Sequence, residues 1–209
     1  MIRFSEGLAQ FASAGIDFAV ATLILAVLSG ILTQSLFDLG LRRVLQRWWV
    51  QAWVRLRGGD LTSWREGTRN GRIYALHYQR LCGQLSSYLQ YELDTPAHWL
   101  LLPAMLEKTT LEALREATGP DRAQIRQTAN AELEDALDDL QTLLANRSVI
   151  VTYYFCLVFS FSIIALLTLT DNQFTEITDT RYVLIGIGLV AGLMGPIFRA
   201  ITERLLSGR

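Results

Sequence analysis

The stretch SVIVTYYFCLVFSFSIIALLTLT, residues 148–170, contains 23 residues and no charged side chain. About 20 helical residues, within a range of roughly 17–25, cross a hydrocarbon core about 30 Å thick. A buried helix of a soluble protein is the alternative, but apolar runs of that kind are usually shorter, roughly 10–14 residues. The stretch therefore predicts a transmembrane helix.

Two further charge-free windows lie nearer the ends of the chain. Residues 18–37 form a run of 20, and residues 182–198 form a run of 17 that is followed by Arg199. We expect Arg199 to lengthen the third span by reaching the lipid head groups with its guanidinium. A cleaved signal peptide is the alternative for the first run, but its apolar core would be shorter, roughly 7–15 residues. The sequence therefore predicts three uncleaved spans.

The overall composition agrees with a membrane protein that also has a large polar part. Of the 209 residues, 51% are apolar and 19% are charged, whereas roughly 25% are charged in typical soluble domains. The apolar content excludes a disordered chain. With only two cysteines, the chain is not a disulfide-rich secreted scaffold.

The distribution of arginine predicts the orientation of the spans. Only Arg3 precedes the first span, whereas five arginines follow it within residues 39–57, and the 171–181 connection is mainly acidic. Basic flanks stay in the cytoplasm, so the N-terminus is expected outside the cell inner membrane and the C-terminus inside. The predicted fold class is an all-α membrane protein with three transmembrane helices and a cytoplasmic helical domain between the first and the second. The predicted segments are an outer interfacial segment 1–16, transmembrane helix 17–38, cytoplasmic helical domain 39–147, transmembrane helix 148–170, outer loop 171–181, transmembrane helix 182–200 and cytoplasmic tail 201–209.

The cytoplasmic domain is expected to begin with an amphipathic helix over residues 39–57, which ends at the Gly58-Gly59 pair. Three tryptophans and five arginines in this helix favour contact with anionic lipid or with another polyanionic ligand. A plain cytoplasmic anchor is the alternative. The candidate binding residues are Arg42, Arg43, Arg47, Arg55 and Arg57.

Three further helices are predicted in this domain. The Ser63–Glu66 capping box predicts a helix that begins near Trp64 and continues to about Leu93. Another covers residues 103–118, with Pro103 in its first turn. From Asp121 onward no Gly or Pro interrupts the chain, so one unbroken helix is predicted over residues 121–170, which makes the second span continuous with a long cytoplasmic helix.

Charge is segregated within the cytoplasmic domain. Residues 39–80 contain nine arginines and two acids, a net charge of +7, whereas residues 81–146 contain eleven acids and four bases, a net charge of −7. The basic half is a candidate site for a cytoplasmic protein or a polyanionic ligand. No sequence-specific binding of nucleic acid is expected, because no recognition motif accompanies the arginines.

Few residues offer catalytic or metal-binding chemistry. The two histidines, His77 and His98, do not lie at a metal-ligand spacing with a cysteine or with each other. Nucleophile-elbow, phosphate-loop, dinucleotide and zinc-protease motifs are lacking. We therefore expect no enzyme activity and no cofactor.

Small and hydroxylated residues distinguish the spans. The third span carries small residues at a spacing of four, which allows close approach of helices and favours homo-oligomers, with packing inside one chain as the alternative. Hydroxyl groups in the first two spans favour the wall of a pore, with hydrogen bonds to carbonyls one turn earlier as the alternative. The helix-packing candidates are Gly188, Ala191, Gly192 and Gly195. The pore-lining candidates are Thr22, Ser29, Thr33, Thr152 and Ser160.

The predicted layout is similar to that of the inner-membrane proton-channel proteins of the ExbB, TolQ and MotA group. Of that group's Gly- and Pro-containing motifs in the later spans, this chain has only Gly192-Leu193-Met194-Gly195-Pro196, so no functional residue is carried over. The first hypothesis is a homo-oligomeric channel or membrane-permeabilising effector, gated through its cytoplasmic domain, in a bacterial stress or antiphage system. The alternatives are a non-conducting scaffold or accessory subunit that anchors a soluble partner, and a stator-like proton-channel subunit.

Overall fold

The computed structural model describes residues 2–69, 71–95, 99–117, 121–170 and 181–207. This part of the chain is helical and contains no strand, which confirms the predicted all-α architecture there. The predicted outer loop, residues 171–181, lies outside the described residues except for Arg181. The helices are α1 (Ile2–Leu36), α2 (Arg42–Leu56), α3 (Leu61–Gly67), α4 (Tyr78–Asp94), α5 (Leu102–Met105), α6 (Lys108–Glu116), α7 (Asp121–Thr170) and α8 (Arg181–Ser207).

Three of these helices, α1, α7 and α8, contain stretches that are long and apolar enough to cross a membrane. The helix α7 has 50 residues without a break, which confirms the predicted continuous helix over residues 121–170. At about 1.5 Å per residue it is about 75 Å long, more than twice the thickness of a hydrocarbon core. The chain is therefore compatible with a multi-pass membrane protein.

The chain divides into two compact units. The first, called the span unit below, comprises Met1–Asp38 and Ser148–Arg209, and the second, called the polar unit, comprises Leu39–Arg147. In the span unit α1 packs along α8, with Leu25, Ala26 and Ala191 at the centre of the contact. The division follows the change from apolar to charged sequence at both ends of residues 39–147.

The helix predicted over residues 39–57 begins later than expected. A kink over Phe37–Leu41 precedes α2, and Gly40 within it has a φ of 122°. Only glycine adopts such a backbone readily, so the helix is interrupted at this residue and α2 begins at Arg42. Its end at Leu56, just before the Gly58-Gly59 pair, agrees with the predicted end.

The capping-box prediction is wrong. The helix α3 begins at Leu61, and its N-cap is Asp60, whose side chain accepts hydrogen bonds from the backbone N–H of Thr62 at 2.9 Å and of Ser63 at 3.4 Å. A carboxylate is a strong N-cap because it also complements the positive end of the helix. These bonds explain why the helix begins three residues before Trp64.

The single helix predicted from Trp64 to Leu93 is also wrong. It is broken between α3 and α4, where Gly71 adopts a left-handed backbone with a φ of 56°. Side chains hold this break in place: the Trp64 indole donates to the Tyr74 hydroxyl at 2.8 Å, and that hydroxyl donates to Thr68 at 3.1 Å. Buried aromatic contacts therefore outweigh the helical periodicity of this segment.

The helix predicted over residues 103–118 is divided into α5 and α6, which is a third correction. The buried carboxylate of Glu92 accepts hydrogen bonds from the backbone N–H of Leu101 at 2.9 Å and of Leu102 at 2.9 Å. These bonds fix the start of α5, which ends after one turn at Met105. The predicted end of this helix at residue 118 lies outside the described residues.

Candidate functional site: a buried polar seam in the span unit

The polar side chains of the span unit lie along one line of buried positions. On α1 the three hydroxyl residues recur every four or seven residues, and on α7 the members recur every four residues, so each of these sets occupies one helix face. Both faces are buried against neighbouring helices. We call this line the polar seam; its members are Thr22, Ser29, Thr33, Gln34, Thr152, Cys156, Ser160 and Arg199.

The guanidinium of Arg199 connects all three long helices at one end of the seam. Its Nε donates to Gln34 Oε1 on α1 at 2.8 Å, and its Nη1 donates to Thr152 Oγ1 on α7. The group also lies over the Phe37 ring, 4.2 Å from the ring centroid. Only 8% of Arg199 is exposed. The side chain is thus directed into the protein, and the expectation that it reaches toward the lipid head groups is wrong.

The hydrogen-bond network extends from Arg199 to Asp38. The Gln34 amide donates to both carboxylate oxygens of Asp38, at 3.1 and 3.0 Å. Gln34 therefore accepts from a cation and donates to an anion, which fixes the orientation of its amide. A buried charge in an apolar helical unit is costly unless it is hydrogen-bonded, so this network is needed to keep the guanidinium inside the unit.

Most hydroxyl groups of the seam bond to their own helix. Thr22, Thr33 and Thr152 each donate to the carbonyl four residues earlier, at 2.7–2.8 Å. Ser29 donates to Ala26 at 3.0 Å, and the Thr33 hydroxyl lies 3.4 Å from Cys156 Sγ. Within the described residues, the buried Ser160 hydroxyl has no hydrogen-bond partner. All five pore-lining candidates are therefore buried, and four of them make the carbonyl bonds that were the alternative to a pore.

The small residues of α8 make room for side chains of α7 and α1. A Cβ added at Gly192 would lie 2.6 Å from Leu157 Cδ2, and one at Gly195 would lie 2.9 Å from both Cys156 Sγ and Ser29 Oγ. A Cβ at Gly188 would lie 2.9 Å from the Phe161 ring, and Ala191 is fully buried. The four helix-packing candidates thus serve contacts inside one chain.

The five candidate lipid or polyanion residues of the polar unit differ in their exposure and in their contacts. Arg57 lies 5.2 Å from the Trp53 ring centroid and pairs with Asp139 at 3.3 Å. The Arg43 guanidinium lies against Gly71, and Arg42 is half-buried. Arg47 and Arg55 are exposed. The sequence could not separate these roles, because all five arginines look alike in a helical pattern.

The contact of Gln34 with Arg199 was not predicted, because these residues are 165 positions apart. The i, i+4 spacing of Gln34 and Asp38 indicates only that an amide and a carboxylate share one helix face. Among the residues that the structure describes, no cluster of three histidine, cysteine or acidic side chains could hold a metal ion. No family model, curated protein or solved structure matches this chain.

Proposed function

We propose that the chain is a non-conducting scaffold of the cell inner membrane, which crosses it three times and presents residues 39–147 to a soluble partner in the cytoplasm. The observation that carries the proposal is the inward direction of the polar groups in the span unit. The five hydroxyl candidates are buried within one chain, and the four small residues lie at its helix contacts. Little polar surface then remains for the wall of a pore between copies.

The outer surface of the span unit supports the same proposal. From Phe18 to Leu32 and from Leu184 to Ile201, every exposed side chain is apolar. Between residues 149 and 166 of α7, the exposed polar groups are two tyrosines and Ser162, whose hydroxyl donates to the Val158 carbonyl at 2.8 Å. An apolar surface of this kind is compatible with contact with lipid. An ion pathway between copies of the chain would instead need polar side chains on this outer surface.

The polar unit supplies a surface for the proposed partner. Arg65, Arg69 and Arg72 are exposed around the break that follows α3, and they belong to the basic half of the unit. A partner with an acidic surface fits them best, since opposite charges steer association. This partner would be held at the membrane by the three spans.

Recordings from planar bilayers that contain the purified full-length chain test this proposal. The scaffold predicts that the current stays at the level of the bare lipid over the range of voltages applied. Unitary current steps that disappear when the protein is left out would overturn it. Detergent-extracted lipid without protein is the control for contamination.

A homo-oligomeric channel or permeabilising effector gated through residues 39–147 is the second candidate. It is favoured by the unpartnered Ser160 hydroxyl and by the Arg199 network, because buried polar groups gain hydrogen bonds if water enters between the helices. If the seam opens, Ser160→Cys in a Cys82→Ala, Cys156→Ala chain becomes reactive to water-soluble thiol reagents during conduction. A cysteine that stays unreactive while current flows would exclude the seam as the path.

A further inference from the structure

The helix α2 has one exposed face on which apolar and basic side chains alternate. Val44 is 65% exposed and Trp48 is 63% exposed, whereas Trp49 and Trp53 on the opposite face are each 5% exposed. Arg47 and Arg55 are exposed beside Val44 and Trp48, at helical spacings of three, four and seven residues. We call these four residues, Val44, Arg47, Trp48 and Arg55, the α2 outer face.

The position of this face in the chain limits what can cover it. Val44 follows Asp38, the residue that ends the apolar run of the first span, by six residues. A fully extended chain covers at most about 3.6 Å per residue, so six residues reach at most about 22 Å. A span that ends at Asp38 therefore limits how far the start of α2 can lie from the head-group layer.

The chemistry of the α2 outer face matches that layer. An indole ring is favoured at the boundary between hydrocarbon and water, because it joins a large apolar surface to one N–H donor. Two arginines beside it are attracted to anionic head groups and can form paired hydrogen bonds with phosphate. The guanidiniums of Arg43 and Arg57 already make contacts within the polar unit, with Gly71 and with the Trp53 ring.

We propose that the α2 outer face lies on the surface of the membrane and binds anionic phospholipid, with Trp48 inserted among the head groups and Arg47 and Arg55 on phosphates. The proposal depends on the membrane insertion of the span unit that the proposed function assumes. It goes beyond that function, because it makes residues 39–56 a sensor of lipid charge and not a passive linker.

Tryptophan fluorescence of the full-length chain in proteoliposomes tests the proposal. The vesicles contain phosphatidylcholine or phosphatidylglycerol that is brominated near the head group, which quenches indoles in contact with lipid. Trp48→Phe should remove most of the quenchable emission of the polar unit, whereas the matched variant Trp49→Phe should leave it unchanged. Arg47→Gln and Arg55→Gln should each lower the preference for brominated phosphatidylglycerol, by up to about fivefold at low salt. Arg57→Gln is the charge control and should not change that preference.

Three results would overturn the proposal. If Trp48 is quenched by aqueous iodide but not by brominated lipid, the face is in water. If neither quencher reaches it, protein covers the face. If both brominated lipids quench equally and the arginine variants change nothing, the contact is not with anionic lipid. Carbonate washing and flotation of the same vesicles report insertion, so a chain that is not inserted refutes the proposed function itself.

Discussion

Adding a single methyl group at Gly192 should separate close helix packing from helix propensity. The Cβ of Gly192→Ala would lie 2.6 Å from Leu157 Cδ2 and 2.9 Å from the Leu157 Cα. The second of these is backbone, so α7 and α8 must move apart locally. Overpacking of this kind costs about 1–3 kcal/mol, whereas alanine gains about 1 kcal/mol over glycine as a helix former.

The matched control is Gly186→Ala in the same helix. Among the described residues, a Cβ at Gly186 meets no atom within 4 Å, so only the gain in helix propensity of about 1 kcal/mol is expected there. The two variants should therefore differ by about 1–3 kcal/mol in the free energy of unfolding, with Gly192→Ala the less stable.

Titration of the purified chain from mild detergent into sodium dodecyl sulfate, followed by circular dichroism, measures this difference. A larger residue makes the contrast stronger, and Gly192→Leu should prevent α8 from packing on α7. Equal shifts for the two alanine variants, or a more stable Gly192→Ala, would refute the close packing of these helices.

Three further predictions concern single side chains. Arg199→Lys keeps the charge but replaces a planar guanidinium, whose Nε and Nη1 donate to Gln34 and Thr152, by a compact ammonium, so the free energy of unfolding should fall by about 1.5–3 kcal/mol. A loss of the same size in a Gln34→Leu background would show that Gln34 and Arg199 are not coupled. Glu92→Gln should cost about 1.5–3 kcal/mol in denaturant unfolding, because a neutral amide replaces the charged acceptor of two backbone N–H groups; no change would contradict the role of Glu92 at the start of α5. Burial, together with the negative charge of Asp138, raises the pKa of Cys82 to about 11. In Cys156→Ala protein, the alkylation of Cys82 at pH 8 should therefore be about 100-fold slower than that of a thiol of pKa 9.0. The alkylation rate should keep rising above pH 10. A rate that levels off near pH 9 would be inconsistent with that burial.

Long-range features of the sequence predicted the span unit well. Charge-free runs of 17–23 residues and the uninterrupted stretch from Asp121 identify helices whose existence depends on length and composition alone. The same charge-free runs explain why the exposed surface of these helices is apolar. What the runs could not reveal is which face of each helix is buried, because a span that is apolar all around has no hydrophobic side.

The polar unit was less predictable, because single side-chain contacts decide where its helices break. Asp60 caps the start of α3. The Trp64–Tyr74 hydrogen bond stabilises the break after α3, and Glu92 binds the backbone at the start of α5. Each contact connects residues that are two to ten positions apart, which helical periodicity does not detect. Arg199 was misread for a related reason: it lies just beyond an apolar run, and only the folded unit shows that Gln34 is near it.

The most direct test is thiol labelling from the two sides of the membrane. It tests the central claim, which is a three-span scaffold with residues 39–147 inside the cell. Single cysteines are placed at Asp17, Leu28 and Thr62, all exposed positions, in a Cys82→Ala, Cys156→Ala chain. In intact cells a membrane-impermeant maleimide should label Asp17→Cys and leave Thr62→Cys unlabelled until the cells are opened, while Leu28→Cys stays unlabelled throughout. Labelling of Thr62→Cys in intact cells, or of Leu28→Cys under any condition, would contradict the account.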